Sequence, residues 1–354
     1  MGMLAYGEER LTMKRFTRRQ FLLGAAGATL AACGPRATTS QPSGSAPSDA
    51  SSQPKPDLPK PPGEILVTPG DKLYEQTYSE IARLDAADWT LTINGMVDKP
   101  LTLSYDDILS MPKVVELRTL ECIGNPVGGN LIGNVNWGGV YLKDVMQGMQ
   151  VQDGARRARF SAADGYYTSV TLDWIIQPGT LLAYEINGKP LTPEHGYPLR
   201  ILMPGLYGQK MPKWITHIEF VDTDDLGYWE KQGWSDVASV QTNSQFDYPV
   251  NGASLPAGSV PVYGVAFAGK RDITQVEVRI DDGEWQAAEL LQGDSSLVWT
   301  QWAFDWQAAP GNHELLVRAT DSDGFTQEVF ASGTLSRAYP NGTDLIHSIS
   351  VRVA

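Results

Sequence analysis

Cys122 is the residue with the most chemistry to account for. It stands in Thr119-Leu120-Glu121-Cys122-Ile123-Gly124-Asn125-Pro126, after an apolar run and before a Gly-Asn turn. That places it on a strand-end loop, where sites are commonly built. A lone thiol there has three readings: an inert buried side chain, a reactive nucleophile, or a metal ligand. The 354 residues hold only two cysteines, Cys33 and Cys122. Two exclude a disulfide scaffold and a four-cysteine zinc or iron–sulfur centre. His195, His217, His313 and His347 are scattered without ligand spacing, which sets aside a zinc enzyme.

The elements that must carry this loop are legible in outline. Trp89 to Gly95 alternates as a strand and ends in a turn. Residues 103–109 read as a capped short helix, and Val114 to Leu120 as the strand delivering Cys122. Short helical patterns fall at Leu142–Met149 and Leu172–Ile176. Frequent Gly and Pro, and no G-x-G-x-x-G after a strand, indicate an α+β domain over 64–222 rather than a doubly wound one. A segment, 223–248, connects it to residues 249–354. There short strands are expected at 260–267, 275–281, 286–291, 297–306, 313–321, 325–330 and 348–353. Asp282-Gly283 and Asp323-Gly324 supply hairpin turns. About seven short strands in such a length suggest an Ig-like β-sandwich. Trp285, Trp299, Trp302 and Trp306 are assigned to its core and surface packing.

Residues 1–32 read as a targeting segment, with Arg10, Lys14, Arg15, Arg18 and Arg19 before an apolar run from Phe21 to Ala32. The run is too short to span a bilayer, which takes about 20 residues, but suits a secretory signal. Thr17-Arg18-Arg19-Gln20-Phe21-Leu22 resembles the twin-arginine export motif. Leu30-Ala31-Ala32-Cys33 resembles a lipobox, in which Cys33 takes lipid. Residues 33–63 are Ser/Pro/Ala-rich and read as a disordered tether. The expected location is extracytoplasmic, held to the membrane only by the lipid on Cys33. Without residues 1–32 the chain keeps 23 basic and 39 acidic residues, a net charge near −16 instead of −13. That charge and a pI near 4.8 argue against nucleic-acid binding and against polybasic membrane attachment.

Around Cys122, Thr119-Leu120-Glu121-Cys122-Ile123-Gly124-Asn125 resembles the molybdenum-ligating loop of the sulfite oxidase family. Residues 132–145 (Ile132-Gly133-Asn134-Val135-Asn136-Trp137-Gly138-Gly139 onward) resemble the family's next block. Leu182 to Gly188, His195-Gly196-Tyr197-Pro198-Leu199-Arg200, Pro204-Gly205 and Lys213-Trp214 follow in family order. The resemblance covers about residues 85–354. It implies a molybdopterin-binding domain followed by an Ig-like domain of the dimerisation type, and hence a homodimer. It implies a molybdenum–molybdopterin cofactor with Cys122 as the metal's thiolate, a suitably soft ligand. His195, Arg200 and Lys213 match cofactor-contact positions, and Arg200 can grip the pterin phosphate bidentately. Asn125 is carried as a cofactor-side residue that shapes the cysteine loop.

Two departures bear on substrate. Where the family's sulfite oxidisers have arginines after Gly-Asn, this chain has Pro126 and Val127. At the position of their active-site tyrosine it has Trp234, with Tyr228 nearby. Trp234 and Tyr228 are therefore the expected substrate-pocket residues. The reading is an exported molybdenum oxidoreductase transferring an oxygen atom, with a substrate other than typical sulfite. Sulfite dehydrogenase is the alternative. A metal-free lipoprotein binding or adhesion module on the same scaffold is the rival from another class. No Cys-x-x-Cys-His occurs, so no c-type haem is expected, and electrons are expected to be exchanged with a separate carrier, a cytochrome or a quinone-linked protein.

Overall fold

Leu91 and Ile93 alternate with Thr90, Thr92 and Asn94, and this period of two builds β1 (Thr90–Gly95), with both apolar side chains wholly buried. The computed structural model that contains it describes residues 58–330 and 338–354. The targeting segment, Cys33 and the tether up to residue 57 lie outside the described residues.

β2 (Leu101–Ser104) pairs antiparallel with β1. Ser104 and Asp107 then close a reciprocal capping box at the start of α1 (Tyr105–Leu109). β3 (Val114–Glu121) and β4 (Ile132–Tyr141) form an antiparallel hairpin whose connection carries Cys122. α2 (Leu142–Val145), β5 (Arg157–Ala162), β6 (Tyr167–Thr171), α3 (Leu172–Ile176), β7 (Leu181–Ile186), β8 (Lys189–Pro190), β9 (Arg200–Leu202) and β10 (Ile215–Val221) complete the first body. One sheet runs β2-β1-β10-β5-β6, with β1 parallel to β10. The other runs β3-β4-β7-β8, with β9 also on β7. Trp137, Phe160, Phe220 and the β1 side chains belong to the core of this body.

After the single turn of α4 (Tyr228–Lys231) the chain enters a body of strands. These are β11 (Asn243–Tyr248), β12 (Ser254–Leu255), β13 (Gly258–Phe267), β14 (Ile273–Ile280), β15 (Gln286–Ala287), β16 (Glu289–Leu291), β17 (Thr300–Ala308), β18 (Gly311–Asp321) and β19 (His347–Val353). They form two sheets, β11-β13-β17-β16 and β12-β19-β18-β14-β15, around a shared core that includes Val262, Val278, Trp302, Trp306 and Val317. A third cluster, including Ile123, Tyr207, Val240, Phe267 and Trp299, joins the cysteine loop to this second body.

Several expected elements differ, each for a local reason. The helices are four or five residues long, so the first body is mostly sheet; the one expected over 142–149 is capped at Met146. β11 lies inside the expected connector, so the second body's sheet begins at Asn243. The strand expected over 286–291 breaks at Ala288, with β15 pairing β14 in one sheet and β16 pairing β17 in the other. That over 297–306 starts only at Thr300, because Thr119 claims the preceding backbone. Thr119 N donates to Leu297 O at 2.8 Å and Trp299 N donates to Thr119 Oγ1 at 2.9 Å. Residues 325–330 form isolated bridges, not a strand. Buried Gln327 stands in for a ladder there, accepting from Ala319 N at 3.0 Å and donating to Leu345 O at 2.8 Å. Trp302 and Trp306 are core residues, and Trp285 lies under the guanidinium groups of Arg279 and Arg318. Leu58, placed in the expected tether, packs on the second core.

Candidate active site

The β3–β4 connection is held by its own backbone and by Asn125. Cys122 N donates to Leu131 O, and Asn125 N to Cys122 O, both at 2.9 Å. Asn125 Oδ1 accepts from Leu131 N at 2.9 Å while its amide donates to Glu121 Oε1 at the same distance. The other oxygen of Glu121 accepts from Asn243 Nδ2 at 3.1 Å. Burial pushes the Glu121 carboxyl up to about 7, against the two amides that favour its charged form. Gly128, at φ +65°, turns the loop beneath His347, where a Cβ would stand 2.3 Å from the ring. The result is a cysteine loop pinned to β11 of the second body.

Cys122 opens onto a cavity of about 240 Å³. Its walls include Tyr74, Tyr78, Tyr166, Trp214, Trp229 and Trp234, with Ile123 and Met211. Trp234 and the thiol both flank Gly124, where a Cβ would lie 3.8 Å from Sγ and 3.9 Å from the indole. Burial pushes the thiol pKa up; the Gly124 backbone N–H opposes it.

The basic side chains lining the cavity are His195, Arg200 and Lys213. His195 ends a 3-10 turn, Pro193–His195, closed by Gly196, and its Nε2 lies 3.2 Å from Gly70 O. Burial, then the charge of Arg200, lowers its pKa, which favours the neutral ring. Arg200 begins β9 and is 5% exposed. Its Nη1 donates to His195 O at 3.3 Å, its carbon lies 5.1 Å from the Trp137 ring, and its Nε has no partner. No carboxylate pairs with it among the described residues. Burial holds its pKa down to about 10. Lys213 donates to Glu194 O at 2.7 Å over the Trp214 ring, and burial, then Arg200, brings it to about 8. Asp164 and Glu194 line the cavity on the side of Lys213, but Arg200 has no counter-charge, and a buried guanidinium in that state is costly. The arrangement asks for an anion.

The cavity therefore gathers Cys122, His195, Arg200, Lys213 and Trp234. Two expected site residues lie elsewhere. Tyr228 does not line it: successive residues of a helix point about 100° apart, and α4 turns Trp229 inward. Tyr228 packs edge-on against Tyr78, ring centroids 4.6 Å apart. Asn125 is spent on the loop. Pro126, too, is exposed and outside the cavity. Sequence reasoning missed Tyr74, Tyr78 and Tyr166, which sit in segments without periodicity. It also missed the fully buried Lys210. Lys210 Nζ donates to Ser169 O at 2.9 Å and to the Glu230 carboxylate, with Asp236 Oδ1 at 3.3 Å. Glu230 accepts from Gln209 at 3.1 Å and Thr168 at 2.9 Å. This network fixes α4, and with it Trp229.

Residues 78–229 match the oxidoreductase molybdopterin binding domain family. The uncharacterized oxidoreductase YuiH of Bacillus subtilis is 34% identical over 164 residues, 46% of this chain and 81% of that protein. The chain belongs to the sulfite oxidase family of molybdopterin-dependent oxidoreductases. Arabidopsis thaliana sulfite oxidase is 29% identical over 277 residues, 64% of this chain and 70% of that one. The crystal structure of the sulfane dehydrogenase SoxCD from Paracoccus pantotrophus shares the fold, with a TM-score of 0.69 at 23% identity over 80% of each chain. The chain is thus an oxidoreductase, and the family's molybdenum–molybdopterin is its cofactor. The site fits that group: a soft thiol faces the cavity, and on the same wall lies a guanidinium with an idle Nε and no carboxylate partner among the described residues.

Proposed function

We propose an exported, lipid-anchored enzyme that transfers an oxygen atom to or from an uncharged substrate. Cys122 is the metal's protein ligand, and Arg200, His195 and Lys213 hold the pterin and its phosphate. When bound, the cofactor supplies oxygen-atom transfer coupled to a two-electron change at molybdenum. In the reducing direction an oxo compound takes up two protons and two electrons and leaves as the deoxygenated compound and water. The chain's part is to orient and to exclude water. Trp234, Trp229, Tyr78 and Tyr166 line the space near Cys122, and Arg200 stays charged to hold an anion.

The observation that carries this reading is the composition of the cavity. Its basic side chains are the three at family cofactor positions; the rest of the lining is aromatic, neutral or, at Asp164 and Glu194, acidic, and none of it favours an anionic substrate. A dianion such as sulfite would find no further buried cation to offset its desolvation. A separate carrier exchanges the electrons. The second body, with its two sheets, is read as an Ig-like domain serving a homodimer, and Cys33 as the lipid site.

Molybdenum and pterin analysis of the exported protein is the test, together with turnover of sulfite against an artificial acceptor and of a neutral sulfoxide against a reduced viologen. Metal content with sulfoxide reduction supports the reading; efficient sulfite turnover removes the substrate assignment. Cys122→Ser is expected to abolish turnover while leaving circular dichroism and export unchanged. Activity surviving in that variant would mean that Cys122 is not the ligand.

A further inference from the structure

The family match spans residues 78–229, yet the cavity takes Tyr74, Gln76 and Thr77 from before it and Trp234 from after it. The residues before β1 act as a strap laid over both bodies. Glu64 O accepts from Gln301 Nε2 at 3.0 Å, and Leu66 N donates to the same side chain. Thr68 N donates to Asn134 O at 2.7 Å, and Asn187 Nδ2 donates to Thr68 O at 2.9 Å. Gly70 O meets His195 Nε2. Leu73, 3% exposed, is then driven into the first core, and its neighbour Tyr74 lines the cavity.

The Tyr74 hydroxyl stands over Gly208, where a Cβ would come within 3.2 Å of it. The charged and ionisable groups around it are Cys122, Arg200 and Glu121, and burial, the largest effect, keeps the phenol protonated. Its donor is unspent: no described residue accepts a hydrogen bond from it. Arg200 Nε and Trp214 Nε1 on the same wall are idle too, but two other donors nearby are committed. Tyr166 gives its proton to Gln209 O at 2.6 Å, and Gln209 Nε2 is shared between Glu230 Oε1 and Ser235 O. Tyr74 is half-buried and lines the cavity, so its idle donor is open to a ligand that enters.

We propose that Tyr74 donates a hydrogen bond to the substrate's oxygen atom and thereby sets specificity for neutral oxo compounds of the sulfoxide class. The aromatic wall of Tyr78, Trp229 and Trp234 takes the substrate's apolar part. The strap thus contributes a determinant outside the matched domain, at a place where the chain has neither an arginine nor the family's tyrosine. This inference rests on the uncharged-substrate reading above.

The test is calorimetric titration of the oxidised holoenzyme, without reductant, using methyl phenyl sulfoxide and methyl phenyl sulfide. The two probes differ in the oxygen alone. Tyr74→Phe should weaken the sulfoxide by roughly 3- to 10-fold, the worth of one neutral hydrogen bond. It should leave sulfide affinity, molybdenum content and melting temperature unchanged. No change for the sulfoxide, or equal weakening of both probes, would overturn the role of Tyr74, because the residue would then only shape the wall. A wild-type enzyme that binds sulfite and neither probe would instead overturn the substrate reading, and the inference with it. Molybdenum content of the same sample checks the cofactor assignment separately.

Discussion

Arg200 shows how one side chain can report a missing partner. A guanidinium 5% exposed with no carboxylate and an idle Nε is destabilising by itself and becomes favourable with an anion beside it. Two measurements on Arg200→Gln follow, with opposite signs. Pterin content should fall at least tenfold, the cost of losing a charge-assisted contact of about 1.5–3 kcal/mol. Chemical denaturation of cofactor-free protein should show stability unchanged or raised. A loss of several kcal/mol in the cofactor-free state would make Arg200 a structural residue instead. At this scale the sequence was informative where family order was tight, at Cys122, His195, Arg200 and Lys213. It was misleading at Tyr228, because a one-residue step along a single helical turn decides which aromatic faces the cavity. Nothing local marks Tyr74, whose position depends on Asn134, Asn187 and Gln301, far away in the chain.

The elements follow the same logic. β1, β3 and α1 were readable because alternation or a capping box fixes them within a few residues. The strand expected over 297–306 and that over 325–330 were not, because distant side chains, Thr119 and the buried Gln327, take over the backbone bonding. Between elements, the hydrogen bond from Asn243 on β11 to Glu121 beside the cysteine is the clearest coupling of the two bodies. Asn243→Ala leaves one oxygen of a buried carboxyl without its partner. Urea denaturation should register a loss of about 1–3 kcal/mol. A change below 0.3 kcal/mol would show that water replaces the amide and that the coupling is weak.

For the molecule as a whole, pH provides a readout of how the second body seats on the cysteine loop. His347 lies against Gly128 and accepts from Phe246 N at 3.2 Å through Nδ1. Burial lowers its pKa from 6.5 to about 4. The unfolded chain therefore binds the extra proton throughout the window between those values. Stability should be fully present above pH 6.5, fall as pH drops toward 4, and level off below, by at most about 3 kcal/mol. His347→Gln should flatten this part of the pH–stability curve. An unchanged slope would assign the acid sensitivity to other groups.

The strap has a consequence in time. Residues 64 and 66 are among the first of the folded chain to be synthesised, but the side chain they bond, Gln301, is made some 235 residues later. Such a contact closes a very long loop and forms late in folding. Until then the outer end of the strap has no anchor, and the wall that continues from it to Tyr74 is only partly secured. The nascent protein thus passes through an interval in which the cavity beside Cys122 is open on one side, and a large cofactor has its easiest entry before translation of the last third is complete.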